Sequence, residues 1–416
     1  MSFPRSVFEF LKEGTLAHAR WEYEVSTNIL RNRKKLLILF IMLLPILLVI
    51  LAEAGDILGG KTAYAPAHYS TTIFIVSIAI GIAAGLITGC IGAGGGFIIT
   101  PALMAAGVKG IVAVGTDLFH IFAKAIMGTA VHKKLGNVSL GLAITSFIGS
   151  ALGTVIGGTI NRAAYDIDPV LSDAFISVVY AILLGFLGFY ALADFLKLRK
   201  AGADVGAHGS ATAATTTAMA IKLQSLKIPP MIRFDEDFVP GGRRISGLVM
   251  AGGGVIVGLM AAIMGVGGGF IAFPMFVYLF GISTMTTVGT SILQIIFTAG
   301  LAAITQYAIY GYVFYTLAMG MLLGSLIGIQ VGALTTKVIK GIHIRGFFAV
   351  TILAGFVNRA SVLPKKLGEL EVLNVPKPLA GGIETIGFYL FWIISAIFGI
   401  WVMSKFFGNL KALREE

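Results

Sequence analysis

The stretch Gly85-Leu-Ile-Thr-Gly-Cys-Ile-Gly-Ala-Gly-Gly-Gly-Phe-Ile-Ile-Thr-Pro101 decides the fold of this chain, because it occurs twice. The second copy is Gly258-Leu-Met-Ala-Ala-Ile-Met-Gly-Val-Gly-Gly-Gly-Phe-Ile-Ala-Phe-Pro274. The aligned Gly, Phe and Pro residues of the two copies keep a constant offset of 173 residues. After a slip of one residue the alignment continues through Val114-Gly115-Thr116 and Val288-Gly289-Thr290. The chain therefore consists of two related halves.

The glycine triplet in each copy is predicted to break a helix. A glycine inside a helix costs about 1 kcal/mol relative to alanine, and here three follow one another in an apolar segment. Within a bilayer such a break is tolerated only where protein or a water-filled cavity satisfies the freed backbone groups. Paired breaks at matching positions of two halves indicate the binding site of a transporter, whereas close helix packing through small residues is the alternative.

Composition places the chain among membrane proteins. Hydrophobic residues make up 57% and charged residues 12%, and the mean hydropathy is +0.92, which is too apolar for one soluble core. The net charge of +11 would suggest nucleic acid for a soluble protein, but in a membrane protein the placement of the charges matters more. We therefore expect a lipid bilayer and no nucleic acid as its surroundings.

The apolar runs divide the chain into five regions. Long apolar spans are predicted at about 36–52, 71–92, 111–131, 138–160, 174–194, 245–264, 286–309, 313–336, 345–357 and 383–403, with shorter pieces at about 97–108 and 270–281 that either span or re-enter. The regions are 1–70, a cytoplasmic N-terminal region with a first helix; 71–194, the first repeat; 195–244, a cytoplasmic linker flexible at least in part; 245–357, the second repeat; and 358–416, an external loop, a final helix and a basic tail.

The positive charges predict the orientation. With the N-terminus inside and every apolar piece reversing direction, the cytoplasmic segments 1–35, 132–137, 195–244, 336–345 and 404–416 hold 23 of the 31 Lys and Arg residues. This is the positive-inside pattern, with both termini cytoplasmic. Each half contributes an odd number of pieces, so the two repeats should be inverted. The predicted fold is an all-α polytopic membrane protein with two inverted, glycine-broken repeats and one extra helix at each end.

The motifs resemble the sulfite exporter family called TauE/SafE. The resemblance rests on the doubled Gly-x-Gly-Gly-Gly-Phe-x-x-x-Pro pattern, the Val-Gly-Thr that follows it, and the turn Val131-His-Lys-Lys-Leu-Gly-Asn-Val138. It covers about residues 75–195 and 245–355. It implies a permease of the bacterial inner membrane that carries sulfite, sulfoacetate or a related organosulfonate. The N-terminal region, the linker and the tail beyond Arg359 depart from the family pattern.

The glycine breaks themselves predict an anion site. A new helix should open after each break, at Phe97 and Phe270, and its first amide groups lack partners within the helix. Helix N-termini bind anions, and glycine lets a ligand approach the backbone closely. The predicted backbone part of the substrate site consists of Gly94, Gly95, Gly96 and Phe97 in the first half and Gly267, Gly268, Gly269 and Phe270 in the second.

Polar residues on the following span are predicted to complete the site. Asp117, His120 and Lys124 share one helical face, and ionisable groups inside a membrane tend to face a cavity or one another. A purely structural Asp117–Lys124 ion pair is the alternative to a role in substrate or proton binding. The predicted side chains are Thr116, Asp117, His120 and Lys124, with Thr290, Ser291 and Gln294 at the matching positions of the second half.

The function predicted from these features is export of a small sulfur-containing anion by a secondary transporter. An anion channel of the same architecture and a proton-coupled importer remain alternatives. We predict no enzymatic activity, metal or cofactor, because the sequence holds no metal-ligand cluster, nucleophile–base pair or phosphate-binding lysine motif. The sequence leaves open which anion is carried and whether the protein forms a homodimer.

Overall fold

The computed structural model describes residues 71–91, 96–134, 139–200, 218–235, 242–335, 339 and 341–409. The predicted first helix at about 36–52 lies outside these residues. The described chain is almost entirely helical, so the prediction of an all-α polytopic membrane protein is confirmed. Six of its helices are long and apolar enough to cross a membrane.

The described residues of the first half form five helices. A short helix follows the first glycine break, as the sequence predicts, and a turn with Gly107 at φ +91° separates it from the next helix. The helices are α1 (Thr71–Ile91), α2 (Gly96–Ala105), α3 (Gly110–Lys134), α4 (Leu140–Ile167) and α5 (Pro169–Lys200).

The second half repeats this order after the linker. The short helix after its break continues into a π-helical turn, Met275–Leu279, and the next helix ends in a second π-helical segment, Ala302–Tyr307, and a 3-10 turn, Ala308–Tyr310. The helices are α7 (Gly247–Met264), α8 (Gly269–Pro274), α9 (Thr284–Leu301), α10 (Tyr315–Thr335) and α11 (Gly341–Glu369), followed by α12 (Lys377–Gly408).

Each half packs its helices on equivalent or complementary helices of the other half, an arrangement that we call the exchange of helices. The first helix of each half packs most extensively on the fourth helix of the other half, that is α1 on α10 and α7 on α4. The third helices, α3 and α9, pack on each other, and so do the fifth helices, α5 and α11. This pattern is the one expected of two repeats related by a two-fold axis. Their inverted orientation in the membrane stays a prediction.

Glycines allow the exchanged helices to approach closely. A Cβ atom at Gly85 of α1 would lie 2.7 Å from the carbonyl oxygen of Ser325 on α10, and one at Gly258 of α7 would lie 2.7 Å from the Cα of Ser150 on α4. Both positions face backbone, which cannot move aside as a flexible side chain can. Close packing through small residues, the alternative interpretation of the glycine pattern, therefore applies to this part of the repeated stretch.

The described part of the linker is structured and anchored to the second half. It contains a short helix, α6 (Ala218–Ser225), and an antiparallel pair of strands, β1 (Met231–Phe234) and β2 (Arg243–Ser246), with Met231 opposite Ser246. Asp235 accepts hydrogen bonds from the backbone N–H of Ser283 at 2.9 Å and the hydroxyl of Thr286 at 2.6 Å. Ser283 is the N-cap of α9, because its hydroxyl accepts the backbone N–H of Thr286 at 3.3 Å, and the carboxylate thereby holds this cap in place.

The end of the second half differs from the sequence prediction. The span expected at 345–357 belongs to a helix that continues to Glu369, so part of the segment expected to be an external loop is helical. Ion pairs explain how polar residues continue the helix: Lys365 Nζ lies 2.9 Å from Glu384 of α12, and Lys366 Nζ lies 3.4 Å from Asp173 of α5. The division of the chain into five regions stays a prediction.

Candidate functional site

The helices that follow the two glycine breaks start close together in the interior of the protein. The rings of Phe97 and Phe270 stack with their centroids 4.6 Å apart, and both side chains are buried. A Cβ atom at Gly96 would lie 3.2 Å from the Cα of Val266, so the backbones of the two breaks are also close. Helices α2 and α8 therefore both start in this region. They begin at Gly96 and Gly269, one residue before the phenylalanines that the sequence predicted.

The second break requires glycine for its backbone conformation. Gly265, Gly267 and Gly268 have φ values of +81°, +65° and +87°, in the left-handed region that side chains other than glycine rarely adopt. Gly265 ends α7, and Gly268 is the residue that precedes α8. The matching Gly94 and Gly95 of the first break lie outside the described residues.

A buried polar cluster lies beside the breaks. The hydroxyl of Thr100 on α2 donates to Asp117 Oδ2 at 3.0 Å, and His120 Nδ1 lies 3.6 Å from Asp117 Oδ1. His120 Nε2 lies 2.9 Å from the hydroxyl of Ser325 on α10. We call Thr100, Asp117, His120 and Ser325 the Asp117 cluster. Since Ser325 belongs to the second half, both halves build it, and each of its side chains is at most 1% exposed.

Lys124 continues the polar face of α3 one turn beyond His120. Its ammonium donates to the hydroxyl of Thr88 on α1 at 3.0 Å. The structure places no direct ion pair between Lys124 and Asp117, so the purely structural pair considered from the sequence is not formed. The side chain is only partly buried. The ammonium therefore lies near the Asp117 cluster, and no carboxylate of the described residues forms an ion pair with it.

The matching residues of the second half form an uncharged counterpart on α9. Ser291 and Gln294 are buried, and both polar atoms of the Gln294 amide lack a hydrogen-bond partner among the described residues. The same holds for Asp117 Oδ1 and His120 Nδ1. Buried polar atoms are nearly always paired in native proteins, so unpaired ones indicate groups that a ligand or water can satisfy.

Thr116 and Thr290 hold the two halves together. The hydroxyl of Thr116 accepts the backbone N–H of Phe314 at 2.9 Å, just before α10. The hydroxyl of Thr290 accepts the backbone N–H of Ser139 at 3.0 Å, just before α4. Each bond connects one half to the other, and the two bonds are equivalent. This structural role differs from the substrate contact predicted for both threonines.

Three polar residues of this region were not predicted from the sequence. Thr88, Thr100 and Ser325 contact predicted residues, but each is a small polar residue within an apolar run. The repeat could have pointed to Thr100, because the second copy carries the apolar Phe273 at the matching position, so the polar residue there is specific to the first half. Ser325 had no such signal, since it reaches His120 only through the packing of α10 on α3.

Comparison with known proteins identifies the family of this chain. The family model described as sulfite exporter TauE/SafE matches residues 76–359. The chain belongs to the sulfite exporter TauE/SafE family. The match includes both glycine breaks and the whole Asp117 cluster. Its last residue is Arg359, within α11.

Bacterial relatives of the TauE/SafE family are similar to more than half of the chain. The probable membrane transporter protein YunE of Bacillus subtilis is 24% identical over 268 residues, which cover 62% of this chain and 87% of YunE. The probable membrane transporter protein YjnA of the same organism is 25% identical, with 62% and 87% coverage. A probable membrane transporter protein of Xylella fastidiosa is 24% identical, with 62% and 84% coverage. No solved structure matches the chain.

Proposed function

We propose that this membrane transporter exports a small sulfur-containing anion, such as sulfite, sulfoacetate or a related organosulfonate, across the bacterial inner membrane. The observation that supports the proposal is that the helices after the two glycine breaks start close together beside the Asp117 cluster, marked by the Phe97–Phe270 contact at 4.6 Å. The family supplies the substrate class, as its description names a sulfite exporter.

The chemistry of the region favours an anion. The first amides of α2 lack partners within the helix and carry a partial positive charge. Lys124 adds a cation nearby, and its ammonium has three donor hydrogens, of which Thr88 accepts one. An oxyanion accepts from amide and ammonium donors alike, and glycine lets it approach the backbone closely.

The membrane potential favours export. Moving one elementary charge across the membrane is worth roughly 2.3 kcal/mol per 100 mV, and the interior of a cell is negative. An anion is therefore driven outward without any coupling ion. Import would need a coupled cation or proton to overcome the same field.

Proton-coupled movement is a second candidate, because Asp117 and His120 are in contact. Both are buried, and their facing atoms, Oδ1 and Nδ1, are 3.6 Å apart. A carboxyl and an imidazole at this distance can exchange a proton after a small movement. A transporter that uses them would carry a proton together with the anion.

Efflux from proteoliposomes tests the proposed function. Purified protein is reconstituted into liposomes with radiolabelled sulfite inside. The rate of sulfite efflux is measured with and without sulfoacetate, taurine, thiosulfate or sulfate as a competitor. We expect saturable sulfite efflux that Lys124→Gln slows at least about tenfold, because the ammonium is the nearby cation. Lys222→Gln, on the exposed face of α6, is the control and should behave as wild type. Efflux no faster than in protein-free liposomes would refute the proposal.

A further inference from the structure

A polar cavity lies at the end of the bundle that the charge distribution predicts to be external. It has a volume of about 200 Å³. Five separate segments contribute to it: the end of α2, the turn before α3, the start of α5, the end of α11 and the start of α12. Its charged lining residues are Lys109, Asp173, Arg359, Lys366 and Glu384. We call it the Arg359 cavity.

Arg359 is a buried cation whose hydrogen bonds are weakly satisfied. Its side chain is 2% exposed. Nε and Nη2 donate to one amide oxygen, Asn358 Oδ1, at 2.9 and 2.5 Å, and Nη1 lies 3.2 Å from the sulfur of Met104, which is a weak acceptor. Among the described residues, no carboxylate forms an ion pair with the guanidinium. A buried cation that no carboxylate contacts directly is costly, so an anion in direct contact with the guanidinium would stabilise it.

The two carboxylates of the cavity are already engaged by other groups. Asp173 accepts the backbone N–H of Gly110 at 2.7 Å and pairs with Lys366 at 3.4 Å. Glu384 pairs with Lys365 at 2.9 Å. These contacts reduce the repulsion that the carboxylates would exert on an anion near Arg359. The described lining residues include three cations and two carboxylates, so their formal net charge is positive.

We propose that the Arg359 cavity binds a small oxyanion, with the guanidinium as its principal contact. A guanidinium presents its N–H donors as a planar fork that matches two oxygens of an oxyanion. The volume suffices for an anion of a few heavy atoms with one or two waters. The proposal concerns binding at a place separate from the glycine breaks and does not rest on the proposed export.

Helix α2 connects this cavity to the Asp117 cluster. Met104, which contacts Arg359, lies one helical turn from Thr100, which donates to Asp117. Tyr180 of α5 interacts electrostatically with both Asp117 and Arg359, and its hydroxyl donates to the carbonyl of Met264 at 2.5 Å. An anion in the Arg359 cavity would therefore lie close to the residues that connect this cavity to the Asp117 cluster, namely Met104, Thr100 and Tyr180.

Tryptophan fluorescence measures binding at this cavity directly. Trp392 packs on Phe388, a lining residue, with ring centroids 6.4 Å apart. Replacing the other tryptophans, Trp21→Phe and Trp401→Phe, leaves Trp392 as the sole reporter. Full-length protein in detergent is titrated with sodium sulfite, and in parallel with sodium sulfate, at constant ionic strength. We expect a saturable change in emission.

Variants assign the signal to Arg359. Arg359→Gln should raise the Kd at least about tenfold, and Arg359→Lys should raise it less, because it keeps the charge but loses the fork. The matched control is Arg162→Gln: this arginine lies at the same end but is already bound to Gln306, through the backbone oxygen at 2.9 Å and Oε1 at 2.6 Å. It should leave the Kd unchanged.

A second variant keeps the test decisive if Arg359→Gln fails to fold. Val362→Phe fills the cavity while retaining the arginine, and it should also weaken binding at least about tenfold. No saturable change in the wild type, or an unchanged Kd in either correctly folded variant, overturns the proposal. Lys124→Gln separates the two hypotheses, because it should slow efflux and leave this titration unchanged. The loss of one effect without the other identifies which proposal has failed.

Discussion

Phe97 stacks on Phe270, with 24° between the ring planes and the centroids 4.6 Å apart. The two residues are equivalent positions of the repeat, 173 residues apart, and each lies in the first turn of the helix that follows a glycine break. A third ring, Phe348 of α11, contacts both edge-on, at 5.7 and 6.5 Å. The breaks are thus joined by an aromatic group that belongs to both halves.

The stacked pair should stabilise the fold cooperatively. Phe97→Ala and Phe270→Ala should each lower the free energy of unfolding by about 3–5 kcal/mol, because each removes a buried ring. The double variant should fall short of the sum by about 0.5–1.5 kcal/mol, the energy of the ring contact itself. Denaturant titration of the purified protein gives the values. Phe186→Ala, 70% exposed on α5, is the control, and strict additivity of the pair would contradict the prediction.

Thr116→Val and Thr290→Val should destabilise the protein to similar extents. Each replacement keeps the shape of the side chain but leaves one backbone N–H, that of Phe314 or Ser139, without its acceptor. The expected loss is about 1–3 kcal/mol for each variant. Thermal unfolding measures it, with Thr145→Val as the control, because that hydroxyl donates to Gly141 and Leu142 within α4 and not to the other half. Normal stability together with lost efflux would instead show that these threonines contact the substrate.

Asp117→Asn tests the proton-coupled candidate. The amide still accepts a hydrogen bond from Thr100 but cannot exchange a proton with His120, 3.6 Å away. If the carboxyl carries protons, the pH dependence of efflux should flatten in the variant. Sulfite efflux from proteoliposomes is measured over a range of pH, with exposed Asp166→Asn as the control. A wild-type rate and pH profile in Asp117→Asn would assign Asp117 to packing alone.

Efflux of the anion should respond to the membrane potential. With sulfite inside the proteoliposomes, a potential that is negative inside should speed efflux and the reverse potential should slow it. The reason is that the potential changes the free energy of moving the anion outward by roughly 2.3 kcal/mol per charge and 100 mV. Potassium gradients with valinomycin set the potential, and no proton gradient is imposed. Efflux that ignores the potential but stops when a proton gradient is collapsed would favour electroneutral proton coupling.

The repeat was the most informative feature of the sequence. Its paired breaks predicted one substrate site built from both halves, which stays a prediction, and the Phe97–Phe270 contact shows that the helices after the breaks start side by side. It also identified Thr116 and Thr290 as equivalent residues, although not the partners of their hydroxyls. Those partners, Phe314 and Ser139, precede helices of the opposite half, and only the exchange of helices brings them into contact.

Features built from distant segments could not be predicted from local patterns. Lys365, Lys366 and Glu369 resembled a loop because polar residues follow one another there, whereas ion pairs with Asp173 and Glu384 satisfy the lysines within a helix. Arg359 was assigned to the same loop. Its burial depends on five segments that meet at one end of the bundle, and the hydrophobic pattern of α11 alone does not predict that meeting.

The exchange of helices between the halves has a consequence for biogenesis. Because α1 packs on α10 and α4 on α7, the first half alone cannot complete its own interior. At about 5–20 residues per second, a ribosome needs roughly ten seconds or more to reach α10 after it has finished α1. During that interval the glycine faces of the nascent chain lack their partners and depend on lipid or on an insertase to shield them. A single-half ancestor would have met the same need by pairing with a second copy of itself.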